Sequence, residues 1–170
     1  MEVCARNKFP LKSDAAFLTY RIMDTLTKAE RSRRMSLIKG QNTSLELKVR
    51  RLVYNEGYRY RLFDKRLPGK PDLVFRGKKK VIFVHGCFWH QHACPNCKIA
   101  HLPKSNSGFW AEKLRKNRER DQRNLASLEE MGWEFLVLWE CELKREENLL
   151  MRISAFLCGP KANNCSVEKR

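Results

Sequence analysis

Residues 81–97 read VIFVHGCFWHQHACPNC. The first four form a continuous apolar run, the pattern of a central strand buried on both faces. The remainder gathers three of the four histidines and three of the seven cysteines of the chain around an adjacent Phe88–Trp89 pair. A strand that ends in such a loop places its chemistry at the edge of a sheet, so the elements on either side decide the architecture.

Upstream, a Gly77–Lys78 turn joins this strand to a shorter one at Leu73 to Phe75, opened by Pro71–Asp72. Before it, Leu67 to Pro71 reads as a turn, and Tyr58 to Leu62 alternates as a further strand. Leu45, Val49, Leu52 and Val53 recur at helical spacing, which predicts a helix over 44–56 with Gly57 as its stop. Downstream, Trp110, Leu114, Leu125 and Leu128 make one stripe of a long helix from Phe109 to Met131. Asn117 and Asp121 fall inside that stripe, where a polar group must be paired or must line a site. Gly132 ends this helix, Trp133 to Trp139 reads as another buried strand, and Leu149 to Leu157 as a closing helix. A strand, a crossover helix and a second strand imply an α/β fold with a mixed central sheet flanked by helices on both sides.

The chain of 170 residues carries a formal charge of +16, and residues 28–80 hold 17 basic against 5 acidic residues, a net +12. That asymmetry calls for a polyanion, and nucleic acid fits better than a membrane because no apolar run is long enough to span one. Residues 23–42 contain a short helical segment flanked by Arg31, Arg33 and Arg34, a basic arm, and Met23 is a second candidate start. Residues 1–22 read as a mobile extension, 43–158 as the catalytic domain and 159–170 as a polar tail. No signal peptide is legible at the N-terminus, and seven cysteines in a cytoplasmic chain suit metal binding better than disulfides.

Zinc explains the cysteine and histidine density, since it takes four nitrogen and sulfur donors in a tetrahedron. Cys87, His92, Cys94 and Cys141 make one set; a set using the Cys94–x–x–Cys97 pair competes with it. His85 and His90 remain for proton transfer in phosphodiester hydrolysis. Asp72 can hold a hard cation such as magnesium. Glu46 either joins that site or closes a capping box with Thr43, and the two roles are compatible. Phe88 and Trp89 suit either core packing, which the residues alone favour slightly, or a wedge between base steps.

Taken together these residues resemble the very short patch repair (Vsr) DNA mismatch endonucleases. The resemblance runs from Met23 to Cys158 through Arg31-Ser32-x-x-Met35, Pro68-Gly69-Lys70-Pro71-Asp72, His85-Gly86-Cys87-Phe88-Trp89-His90-x-His92-x-Cys94, Phe109-Trp110-x-x-Lys113, Asn117-x-x-Arg120-Asp121, Gly132-Trp133 and Trp139-Glu140-Cys141. It implies a restriction-endonuclease-like core, of the PD-(D/E)xK type, that nicks one strand 5′ of the thymine in a T:G mismatch left by deamination of 5-methylcytosine. It also implies a structural zinc on Cys87, His92, Cys94 and Cys141, with Cys97 as the extra thiol. Asp72 and the main-chain carbonyl of Val84 become magnesium ligands. His90 becomes the proton-transfer residue, and His85 and Glu46 position water or phosphate. Phe88 and Trp89 become the intercalating wedge, Met35 enters from the opposite groove, and Arg31, Arg34 and Lys70 contact DNA. Val84 and Gly86 stand where the wider superfamily has an acid and a lysine, which agrees with the smaller family, where a carbonyl and a histidine serve instead.

A wobble pair is weaker than a matched one, so a wedge beside it costs less, and selectivity becomes a deformation cost. The expected protein is a monomer, cytoplasmic and nucleoid-associated, acting on mismatched duplex DNA alongside other mismatch-repair proteins. Two rival readings stay open at this point: a related restriction-type or mobile-element nuclease without mismatch specificity, and a non-catalytic zinc DNA-binding protein.

Overall fold

The computed structural model describes residues 27–37, 40–144 and 146–158; the expected N-terminal extension and polar tail lie outside the described residues. Helices α1 (Lys28–Ser36) and α2 (Ser44–Asn55) lead into strands β1 (Leu73–Phe75) and β2 (Lys80–His85), then α3 (Ser107–Glu130), β3 (Glu134–Trp139) and α4 (Glu146–Cys158). Short 3₁₀ turns at Arg76–Lys78 and Glu140–Lys144 close the gaps. No helix of the described residues is long and apolar enough to cross a membrane.

β2 is the centre of a three-stranded mixed sheet, antiparallel to β1 and parallel to β3, with Leu73 opposite Ile82 and Ile82 beside Leu136. The alternation of side chains along each strand sorts the core into two layers. Leu73, Phe75, Ile82 and Leu138 pack with Val49 and Val53 of α2 and Leu149, Ile153 and Leu157 of α4. Val74, Val81 and Phe83 pack with Leu128 and Leu125 of α3, joined by Phe135 and Val137. Ile82 is fully buried, and truncating such a residue to alanine costs about 2–5 kcal/mol. His85 has the parity of Val81 and Phe83, so the register delivers it to the α3 face.

The helix starts follow from the sequence. Thr43 and Glu46 form a complete capping box on α2, as Thr27 and Glu30 do on α1, each cap stabilising its helix by about 1 kcal/mol. The expected strand at Tyr58 to Leu62 reduces to a single bridge between Arg61 and Val74, each donating its N–H to the other's carbonyl at 2.9 and 2.8 Å. It stops there because Phe63 adopts a left-handed backbone (φ 48°), which turns the chain off the sheet edge. Gly69 sits in the turn that follows at φ 72°, and a Cβ there would meet Asn124 at 3.1 Å and Phe83 at 3.2 Å. This turn therefore requires glycine, and it presents Lys70 at the rim of the site.

Candidate active site and metal cluster

A cavity of about 800 Å³ opens at the end of β2. Asp72, Val84, His85 and His90 line it together with Glu46, Lys70, Arg120 and Asp121. The strand ends explain this convergence. The pairing of β1 with β2 stops at Leu73 and Ile82, so Val84 extends past the last rung. Its N–H donates to Asp72 Oδ2 at 2.8 Å in place of a ladder bond. In an extended strand the N–H and C=O of one residue point to the same edge, so the Val84 carbonyl also faces the Asp72 side. One carboxylate and one main-chain carbonyl are oxygen donors of the kind a hard divalent cation takes. Burial pushes the Asp72 carboxyl up to about 6; the Val84 N–H opposes this, and the charge of Glu46 adds to it. A buried carboxylate held at that cost is stabilised by a cation at the same place.

His85 and His90 stack face to face, centroids 3.8 Å apart and planes 7° from parallel. His85 is buried, and that burial, with His90 beside it, lowers its pKa to about 3, so it is neutral. His90 Nδ1 lies 2.5 Å from Asp121 Oδ2. Burial by itself would raise Asp121, yet the bond to His90 and the charges around it bring its carboxyl below the ordinary value. A carboxylate only accepts, so Nδ1 of His90 carries the hydrogen and Nε2 is left for exchange with a ligand. The sequence marks Asp121 as a polar residue on an apolar stripe, but its partner is 31 positions away, beyond what spacing can connect.

Glu46 is buried, and its oxygens are engaged: Oε2 accepts from the Asn42 N–H at 2.9 Å and from Arg50 at 2.7 Å, and Oε1 from the Thr43 hydroxyl at 2.9 Å. It is a helix cap and half of a buried ion pair that also forms part of the cavity wall. Glu140, also on the wall, accepts the Cys87 N–H at 3.2 Å and ties the cavity to the cluster behind it.

Behind the catalytic loop, the donor atoms of Cys87, His92, Cys97 and Cys141 lie within 4.8 Å of one another. Cys141 Sγ and Cys87 Sγ stand 3.3 and 3.8 Å from His92 Nδ1, close to the ~3.5 Å sulfur–nitrogen separation of a tetrahedral zinc site. The fourth donor grouped with them is Cys97; the expected Cys94 is not among these four. Cys97 is buried, whereas Cys94 is exposed on the same tight turn. The two share the same local spacing, and only the path of the turn decides which thiol points inward. Burial drives the Cys87 thiol up to about 12 and raises Cys141 as well. Thiols packed this closely gain from a soft cation that would hold them deprotonated.

The other side of the loop is aromatic. Phe88 and Trp89 meet edge to face at 5.1 Å, and Trp110 of α3 lies 5.3 and 5.9 Å from them. Phe109 adds a ring at 5.4 Å from Trp110 and is 61% exposed. The Lys113 ammonium sits 5.6–5.7 Å from Trp89, Phe109 and Trp110. Asn117 donates to the Trp89 carbonyl at 3.2 Å, one helical turn from the Asp121 grip on His90. Trp110, read from the sequence as part of the core stripe, belongs to this half-exposed group. Arg31, Arg34 and Met35 lie on α1, where Arg34 and Met35 are exposed, and Lys70 is exposed at φ 50°.

A carboxylate, a carbonyl and an oriented histidine sharing one open cavity on a basic α/β chain are the donor set that metal-assisted phosphodiester hydrolysis uses. The sequence profile of DNA mismatch endonuclease Vsr matches residues 23–96. The chain is 39% identical over 145 residues to DNA mismatch endonuclease Vsr of Escherichia coli, covering 82% of this chain and 91% of that protein. It is 46% identical over 123 residues to the type II nicking enzyme V.NmeAIP of Neisseria meningitidis, covering 72% and 86%. It is 47% identical over 120 residues to the type II nicking enzyme V.XorIIP of Xanthomonas oryzae pv. oryzae, covering 71% and 86%. The chain belongs to the Vsr DNA mismatch endonuclease family and is a DNA endonuclease. The reading as a non-catalytic binding protein is thereby set aside, and a nuclease of this family implies a divalent metal.

Proposed function

We propose that the protein is a strand-specific mismatch endonuclease that hydrolyses the phosphodiester 5′ of the thymine in a T:G pair arising from 5-methylcytosine deamination. The observation that carries this reading is the adjacency of Trp89 and His90: a half-exposed aromatic and an oriented proton carrier are consecutive residues of one loop, facing Asp72 across the same cavity.

Asp72 and the Val84 carbonyl would hold magnesium. When bound, that ion polarises the phosphate and lowers the pKa of its water. His90 moves a proton at Nε2 while Asp121 fixes its tautomer and ring plane. Neutral His85, stacked beneath it, offers a hydrogen bond to water or phosphate. Lys70 and Arg120, at the mouth, balance the charge of the DNA backbone. Glu46 acts through its charge on Asp72 and through the start of α2. Cys87, His92, Cys97 and Cys141 would hold zinc in a closed four-donor site that ties the loop to the end of β3.

Phe88 and Trp89, extended by Trp110, serve as the wedge, and α1 brings Met35, Arg31 and Arg34 to the opposite groove. Unstacking a step takes a few kcal/mol and takes least beside a weak pair, so discrimination lies in the deformation of the DNA. The endonuclease unit is 43–158, the arm 23–42, and the active form a monomer. Strand-labelled duplexes differing only in T:G against T:A test the reading: a nick confined to the thymine strand of the mismatch is expected with magnesium. Equal nicking of both duplexes would leave a nicking enzyme without mismatch specificity.

A further inference from the structure

Three charged residues beside β1 belong to neither the cavity nor the cysteine–histidine cluster. Asp64 Oδ1 accepts the Arg66 main-chain N–H at 3.2 Å and Arg66 Nε at 3.1 Å. Its Oδ2 accepts Arg66 Nη2 at 3.3 Å and Arg76 Nε at 3.0 Å, with Arg76 Nη2 as a further donor. We propose that Arg66 and Arg76, seated together on Asp64, form a phosphate clamp that takes the DNA backbone on one flank of the cut, an inference that rests on the cavity at the end of β2 being where the strand is cut.

The carboxylate lies beneath and the guanidiniums above: the Asp64 side chain is 8% exposed, those of Arg66 and Arg76 69% and 39%. A guanidinium carries its N–H donors in a rigid fork. Each arginine turns Nε and Nη2 to Asp64, and its Nη1 donors are not used by any bond among the described residues. Guanidiniums oriented in advance lose less side-chain freedom on binding and match the geometry of phosphate oxygens. One carboxylate against two arginines leaves a positive charge, and the charge of Arg61 falls on the same carboxylate. The exposed face of α3 is built differently. There Arg115 lies between Glu112 and Glu119, and Glu112 also takes Lys116, so the charges cancel. Residues 57–80, by contrast, hold nine basic residues and two acids, Asp64 and Asp72.

The place of the clamp follows from the turn that carries it. Phe63 and Lys70 both line the cavity. Between them the Leu67 N–H donates to the Asp64 carbonyl at 3.1 Å and the Lys70 N–H to the Leu67 carbonyl at 3.2 Å, which folds the segment back on itself. Lys70 stands at the inner end of this turn and Arg66 on its outer side. The six residue steps from Asp64 to Lys70 span at most about 20–22 Å, so the clamp meets the backbone within about six base pairs of the cut, at about 3.4 Å per pair. It touches phosphate and reads no base, so its contribution is the same for T:G and T:A duplexes.

The test compares the full native chain with the double variant Arg66→Gln/Arg76→Gln by fluorescence anisotropy without magnesium. Three T:G duplexes are used: one with flanks of about ten base pairs, and two trimmed to about three base pairs on one side or the other. On the long duplex the double variant should bind about ten-fold more weakly, with the slope of log affinity against log salt reduced by about two. Trimming one flank should weaken the native chain by about the same factor and leave the double variant unmoved, while trimming the other weakens both alike. Arg66→Gln alone, which keeps the Asp64–Arg76 pair, should show a smaller loss tied to the same flank, and it carries the test if the double variant does not fold. Unaltered binding to the long duplex, or a loss that survives the trimming of either flank, overturns the clamp and leaves the cavity reading intact. Asp72→Ala is assayed for nicking on the same long duplex with magnesium; if it nicks as fast as the native chain, the strand is cut elsewhere, and the cavity reading and the clamp fall together.

Discussion

Two donor clusters sit on either side of one short loop, and they differ in every respect that selects a cation. Cys87, His92, Cys97 and Cys141 offer three sulfurs and a nitrogen, two of the thiols buried. Asp72 and Val84 offer oxygens at the wall of an open cavity, with His85, His90 and Asp121 alongside. Soft, closed coordination suits a structural ion, and hard, open coordination suits one that must share its sphere with substrate and water. On the proposed reading, zinc in one cluster would stiffen the loop between them while the loop delivers a histidine to the other, so local order is built where catalysis needs it.

The comparison breaks first at Asp72. Asp72→Ala should lower nicking about a thousand-fold or more, the scale of several kcal/mol of lost charge stabilisation, with DNA binding by gel shift and zinc content unchanged. Loss of zinc in this variant would mean that the clusters are not independent. Next in size, His90→Ala should cost about 10²–10⁴ in rate, and Asp121→Asn less. Because Asp121 acts through His90, the double variant should be no slower than His90→Ala alone, whereas additive losses would assign Asp121 a separate role.

On the sulfur side, Cys97→Ser should lose zinc and lower the melting temperature by about 10 °C, the shift expected for several kcal/mol in a chain of this size, while Cys94→Ser keeps both. The reverse pattern would restore Cys94 to the ligand set. Smallest of all is Lys70→Ala, which should weaken binding to every duplex alike and reduce the slope of log affinity against log salt by about one; a change confined to T:G duplexes would give Lys70 a part in reading the mismatch.

A further, separate check lies at Asp64, away from both clusters. Partial burial would raise its carboxyl, but the hydrogen bonds from Arg66 outweigh that and hold it below the ordinary value. Its folded pKa is depressed, so its contribution to stability is present above the usual aspartate range and is lost as the pH falls through the folded value. Asp64→Asn should therefore lower the melting temperature at neutral pH and flatten the acid limb, the difference from the native protein vanishing below the folded value; an unchanged melting temperature at neutral pH would show that the arginines give no net stabilisation there.

The elements were legible because apolar periodicity is a local signal. The strand at Leu73 to Phe75 and the helices around 44–56 and 109–131 all appear within a few residues of their expected bounds, and the alternation along β2 places His85 on the α3 face. What spacing could not supply was anything decided by tertiary closure. Tyr58 to Leu62 alternates like a strand, but Phe63 turns the chain away after one bridge. Cys94 and Cys97 are equivalent as letters, and the turn between them separates an outward thiol from an inward one. Asp121 announced itself only as a misplaced polar residue, and Trp110 as core, until the loop from β2 came to rest against α3.

The division of labour between the clusters is tested most directly by measuring zinc content and strand-resolved nicking of a T:G duplex on one preparation, with magnesium removed by gel filtration and then restored. The account predicts about one zinc per chain throughout, with nicking absent without magnesium and recovered on its return. Nicking that persists without magnesium, or that rises and falls with zinc content at constant magnesium, would contradict it.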